Sequence, residues 1–422
     1  MNIIPAPMIE NFDHTNTELG SDGTPYDYYR GLLSEANETG NYFGRSKMHG
    51  GFWVALGYSE CNEIARLANV FSNREATFPA YAMQERFMIS SFDDPEHKIQ
   101  RAIVNKSFGP AGVKQYEDLI RQNINLLIDG VIESGRADLG KVIARPIPAL
   151  VTALLVGLPA EDGPKFSRWV ASLAERHIMD AEEANASTTE MYECFDSTIV
   201  DRKNNPGYDI LSQVIRATYD GRNFTHEELR GFFTILMVGG IDNTARLLGS
   251  MLWHLGWDKD LRARLLAQPE LIPSAVQEFL RCYSPAHIVR QATRDIEFHG
   301  ASIKKDDFVL MAYPIANRDP RAFPDPDKLI LDRTPNLHLG LGIGVHRCLG
   351  AHLIALEGRV VLEEFLKRLP DYAIDETLGA KWMSGQVAGM VSVPVTFAPG
   401  TVLRGHEGGQ KRGVEAWLSD AQ

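Results

Sequence analysis

From His338 to Gly350 the chain reads His-Leu-Gly-Leu-Gly-Ile-Gly-Val-His-Arg-Cys-Leu-Gly, which sets one cysteine at the end of a glycine-rich loop and directly before a helix. Gly340, Gly342, Gly344 and Gly350 allow backbone conformations closed to other residues and a close approach to a flat ligand. A helix is predicted over Ala351–Leu369, from the helical recurrence of Leu353, Ile354, Val360, Val361, Phe365 and Leu366, with Pro370 closing it. Cys348 would then feel the partial positive charge of unpaired helical N–H groups, which lowers a thiol's pKa. A lone thiolate beside glycines suits axial ligation of haem iron. Cys348 could instead be an inert buried thiol, the common fate of a free cysteine. It could also join His338, His346 and His352 in a zinc site, although the chain has no Cys-x-x-Cys pair.

At 422 residues and 44% hydrophobic content the chain can bury a large core, and length alone would allow two or three domains. Cys61, Cys194, Cys282 and Cys348 are scattered without a paired framework, which favours a reducing compartment. No apolar run reaches the roughly 18 residues that span a bilayer, and no basic stretch opens a signal peptide. A cytoplasmic protein with no membrane contact is expected. A formal net charge of −12 disfavours nucleic acid as a partner.

Helical patterns dominate from about residue 110 to 275, broken by turns such as Asn204-Asn205-Pro206-Gly207. Strands are predicted at Phe52–Leu56, Ile296–Phe298, Phe308–Tyr313 and Val391–Phe397. Residues 1–20 read as a polar arm and 400–422 as a loosely held tail. The fold class is mainly α with a small β portion.

Thr225 and Glu228 have capping-box spacing, and the pattern starting there reaches Trp257, a helix of about 48 Å. In its middle stands Gly239-Gly240-Ile241-Asp242-Asn243-Thr244. Two adjacent glycines cost a helix about 2 kcal/mol relative to alanine, which close packing against a neighbour could justify. Glu278 and Arg281 share a helix face, as do His97 and Arg101 after Asp94-Pro95.

The segment Gly342–Gly350 resembles the haem-binding loop of the cytochrome P450 monooxygenases, Phe-x-x-Gly-x-Arg/His-x-Cys-x-Gly, with Leu341 where most members have Phe. The resemblance implies the P450 fold, a single haem-binding domain over 21–399, haem b as cofactor, and Cys348 as the iron ligand. Gly239, Gly240 and Asp242 match the family's Ala/Gly-Gly-x-Asp/Glu-Thr-Thr element, where a local opening of the helix would make room for dioxygen and Asp242 would carry protons inward. Asn243 replaces the usual threonine. It would either hold a water or bind an oxygen atom of the substrate, and Thr244, about 100° further round the helix, is not assigned the missing role.

This departure, with the strings Gly231–Leu236, Arg347–Ile354 and Gly385–Met390, is similar to the bacterial branch that hydroxylates cineole. By the same resemblance Glu278, Arg281 and Arg333 form a buried structural network, and His97, Arg101, Arg290 and His346 hold the haem propionates. Phe78, Tyr81, Ile235, Val238, Gly239, Asn243, Ala286, Ile288, Val387 and Ala388 would line the substrate pocket, mostly small and apolar residues that suit a compact hydrophobic molecule. The implied activity is hydroxylation of a small hydrophobic substrate, a terpenoid such as cineole, with O₂ and electrons from a ferredoxin or flavodoxin and its reductase. Arg347 could mark the docking face of that donor or be an ordinary solvated arginine. A peroxide-driven peroxygenase and a non-catalytic haem sensor are the alternatives.

Overall fold

The computed structural model describes residues 8–20, 23–75, 77–79, 86–174, 179–403 and Trp417. The helix His226–Trp257 is its axis. The expected capping box opens it: Thr225 Oγ1 accepts from the Glu228 N–H at 3.2 Å, and Glu228 Oε2 accepts from the Thr225 N–H at 2.7 Å. Buried residues occur on every face, as the consecutive Leu247, Leu248, Gly249 and Ser250 show, which befits a helix enclosed by others. Helices Pro146–Leu155, Gly163–Ala174 and Ala181–Asn204 and the strand Gly389–Ser392 pack around it.

The predicted opening at Gly239–Gly240 is not found, and the helix runs unbroken from His226 to Trp257. The adjacent Gly239 and Gly240 serve different ends. A Cβ on Gly240 would lie 2.8 Å from Thr152 Oγ1 of the neighbouring helix, whereas one on Gly239 would meet nothing within 4 Å. Packing explains the first glycine, and open space beside the helix explains the second.

The helix Ala351–Arg368 follows the cysteine loop as predicted and packs against Glu117–Asp129 and Ile272–Cys282. In the five-stranded sheet, Phe43–Ser46 pairs antiparallel with Phe52–Ala55, which runs parallel to Phe308–Met311. Ile288–Ala292 pairs antiparallel with Phe308–Met311, and Phe71–Ser72 closes the far edge. Because strand side chains alternate, Ile288 and Arg290 point to the same face. Ile296–Phe298 is a strand as expected, but Val391–Phe397 divides into the end of one strand, Gly389–Ser392, and the whole of another, Pro394–Thr396, which belong to different sheets.

Residues 8–20 are not a free arm. Ile9, Phe12 and His14 are buried, and Ser46 Oγ donates to the Phe12 carbonyl at 2.7 Å. Apolar anchors in a polar stretch escape a periodicity reading. In the tail, Gly400 N–H donates to Ile132 at 2.9 Å and Trp417 is buried against Gly163. Among the described residues no helix is long and apolar enough to cross a membrane.

Glu357, on the helix after the cysteine, is buried, and its Oε2 has no hydrogen-bond partner. Burial pushes its pKa up to about 8. Between about pH 4.5 and 8 the folded chain therefore keeps a proton that the unfolded chain has released, so this group makes stability fall as pH rises through that window and has no effect below it. Glu357→Gln should flatten the decline of the melting midpoint across that range, read by thermal unfolding at a series of pH values.

Candidate active site

Cys348 ends a loop whose shape its glycines determine. Gly342 and Gly344 have φ of +66° and +76°, and a Cβ on Gly340 would come within 2.4 Å of the Leu280 carbonyl oxygen. The Cys348 N–H donates to Leu341 at 2.7 Å, which folds the loop back on itself. The thiol is exposed, and the space it faces is a cavity of about 360 Å³. Protein surrounds it otherwise. Burial consequently raises its pKa, outweighing the Gly350 backbone, Arg101 and Arg347, which all pull it down. The expected lowering by the helix start does not prevail for the free thiol. Metal coordination is what would deprotonate it. The zinc alternative lacks its geometry, since among the described residues no three His, Cys, Asp or Glu side chains converge to hold a metal.

Cations with unused donors adjoin the same cavity. Arg290 lines it, buried, and the one hydrogen bond of its side chain among the described residues runs from Nη1 to the neighbouring Val289 carbonyl at 2.8 Å. Burial presses the Arg290 pKa down, with Tyr313 and Asp93 offsetting part of that pressure. Arg101 and His346 also line the cavity. His97 stands beside His346, ring centroids 4.2 Å apart, and the Nε2 atoms of both rings are buried without a partner. Asp94 Oδ1 accepts from His97 Nδ1 at 3.1 Å, which fixes that ring. Desolvated donors of this kind are costly unless an anion meets them. A thiol facing a cavity that also gathers unpaired cations and glycine surface fits an iron porphyrin with its two propionates. Cys348 would hold the metal, and Arg101, Arg290, His97 and His346 the carboxylates.

On the long helix, Ile235, Gly239, Gly240 and Asn243 line the cavity. The Asn243 side chain has no hydrogen bond to a described residue, and its Oδ1 is buried. Thr244, set aside in the sequence reading, lines the cavity too. Asp242 is not part of that wall: its Oδ1 accepts from Arg246 Nε at 3.1 Å, while Oδ2 is buried without a partner.

The structural network comes together around Glu278, which has no exposed surface. Arg281 donates from Nε and Nη2 to the two carboxylate oxygens, both at 2.8 Å, and Arg333 Nε adds bonds of 3.0 and 3.1 Å. Burial opposes the charge on Glu278, but Arg281, the Ile330 N–H and Arg333 together hold its carboxyl below the usual range. Asn317, which the sequence did not suggest, carries this network to the cysteine loop. Its carbonyl accepts from Arg281 at 2.8 Å, its Oδ1 accepts from the Leu339 N–H at 2.7 Å, and its Nδ2 donates to Ser284 at 2.6 Å.

Ala286 and Ile288 also line the cavity. Val387 and Ala388 lie behind it, Val387 bridged to Ala286 and the Ala388 N–H donating to Pro285 at 2.7 Å. Val238 packs into the core and not onto the cavity. Phe78 is elsewhere, stacked on Phe308 at 4.3 Å, with its carbonyl bonded to His14 Nε2 at 2.6 Å. Tyr81 lies outside the described residues. Phe232 and Leu236 were missed, although both line the cavity and a helical count back from Gly239 and Asn243 reaches them. Met88, Ile89 and Ser90 form another stretch of wall that no motif announces.

The sequence model of one family, Cytochrome P450, matches residues 161–370. The polyketide biosynthesis cytochrome P450 PksS of Bacillus subtilis is 32% identical over 331 residues, covering 76% of this chain and 82% of that protein. The mycinamicin IV hydroxylase/epoxidase of Micromonospora griseorubida is 34% identical over 315 residues, covering 73% and 79%. The crystal structure of CYP101J2 superposes with a TM-score of 0.83 at 26% identity, covering 94% of this chain and 99% of that one. The chain belongs to the cytochrome P450 family and is a haem b monooxygenase.

Gly240→Ala should lower the melting midpoint, because its methyl group would press on Thr152, and Thr152→Ala should restore part of the loss. Gly239→Ala should keep or raise the midpoint, by up to about 1 kcal/mol of helix propensity, while narrowing the cavity.

Proposed function

We propose that this monooxygenase hydroxylates a compact hydrophobic substrate that carries an oxygen atom, a terpenoid such as cineole, with electrons from a separate ferredoxin or flavodoxin and its reductase. The unpartnered carboxamide of Asn243, beside apolar wall residues such as Ile235, Phe232, Ala286 and Ile288, carries this reading. An amide there can donate to an ether oxygen or accept from a hydroxyl. A polar group set among apolar ones orients a small ligand that shape alone would leave free to tumble.

Haem b supplies the oxygen insertion into an unactivated C–H bond. Cys348 binds its metal, while Arg101, Arg290, His97 and His346 neutralise its carboxylates. Gly239 leaves space beside the helix for dioxygen. Asp242, with Oδ2 buried and unpaired one residue from Asn243, helps pass protons inward for the reaction, and Arg246 fixes its orientation. Arg347, exposed beside Cys348, belongs to the surface that meets an acidic electron donor. Free cysteines throughout the described chain suit a cytoplasmic setting.

Product formation with NADH and a ferredoxin system tests the assignment. Product from peroxide alone would identify a peroxygenase, and haem binding without product under either condition a sensor. Cys348→Ala should abolish the thiolate signature of the reduced carbon monoxide complex, and its retention would refute the ligand. Asn243→Leu should weaken the spin-state shift produced by an oxygen-bearing terpenoid about tenfold and leave a hydrocarbon of the same shape within about twofold. Equal loss for both would remove the anchoring role.

A further inference from the structure

We infer that Gln100 is a positioning residue for the substrate: from behind the cavity wall it fixes Ile89 in a strained turn, and Ile89 so held limits the shapes the cavity accepts. The inference rests on this cavity being the substrate pocket. Ile89 has φ of +70°, a conformation unfavourable for any L-residue and most of all for one branched at Cβ. Across it the Ser90 N–H donates to the Met88 carbonyl at 2.8 Å, closing a three-residue γ-turn of the strained hand. Met88, Ile89 and Ser90 all face the cavity.

A turn of this kind persists only where its surroundings over-determine it. The Ser91 N–H reaches back to the Phe87 carbonyl at 2.9 Å, and Asn73 Nδ2 donates to the Ser90 carbonyl. At the tip, the Ile89 N–H donates to Gln100 Oε1 at 2.7 Å. Gln100 has no exposed surface and is not part of the cavity wall. It lies on the helix Glu96–Phe108 between His97 and Arg101, so one rigid element carries two of the side chains assigned to the haem carboxylates and also the clamp on this wall residue. With an apolar side chain at position 100 the Ile89 N–H would be buried without an acceptor, and the turn would relax to negative φ and move the isoleucine side chain.

Spectral titration of the haem-loaded protein with imidazole and with 4-phenylimidazole reads the cavity's shape without knowledge of the substrate, since the ratio of the two dissociation constants isolates the room for the phenyl ring. Ile89→Gly and Gln100→Leu, each with a normal carbon monoxide spectrum, should move that ratio in the same direction by at least about threefold. Gln100→Leu introduced into Ile89→Gly should add nothing, because Gln100 acts through Ile89. Ile89→Gly should also melt above Ile89→Ala, since only glycine takes this φ without strain. An unchanged ratio in Ile89→Gly, a Gln100→Leu shift that persists in the glycine background, or a higher midpoint for the alanine variant would overturn the inference. Should Gln100→Leu fail to load haem, Gln100→Met, which keeps the length of the side chain but lacks the acceptor, takes its place in the same comparison. If no terpenoid shifts the spin state, the substrate proposal falls while these ratios stand, so the two failures are distinguishable.

Discussion

A carboxylate with no exposed surface, Glu278, holds the working end of this fold in place. Its two oxygens accept from Arg281, Arg333, the Ile330 N–H and Asn336. Removing either arginine would strand charge in a dry interior, which typically costs several kcal/mol. Arg281 also ties together the backbone carbonyls of Asn317, Pro326 and Lys328, so a single ion pair organises an irregular segment with little regular structure of its own. Through Asn317 that order reaches Leu339, and from there the glycines dictate where Cys348 stands.

The long helix imposes the second constraint. It must pass close to its neighbours and also leave room beside the cysteine, and adjacent glycines meet the two demands separately. Gly240 lets the Thr152 helix approach; Gly239 leaves open space. The helix need not break to make that space, which is why the expected opening is absent.

Much of this was legible in the chain. The cysteine loop, Glu278 with Arg281, His97 with Arg101 and the capping box at Thr225 are local patterns, with partners one helical turn apart or in one loop, so spacing reveals them. Other features depend on distant segments meeting. Asn317 gains its role only because the loop passes beside it. Phe12 becomes core only because an otherwise polar segment packs on the sheet. Phe78 leaves the pocket because Phe308 and His14 claim it, contacts that no spacing rule encodes. The free thiol's raised pKa shows the same limit: a helix start is visible in the chain, the depth at which it is buried is not.

The bare carboxamide of Asn243 also bears on what the cavity refuses. With Asn243 in the proposed anchoring role, an occupant unable to reach it would leave a dehydrated amide stranded, a penalty of about 1–3 kcal/mol. Discrimination against plain hydrocarbons would then act as an exclusion rule, before any bond in the guest is touched.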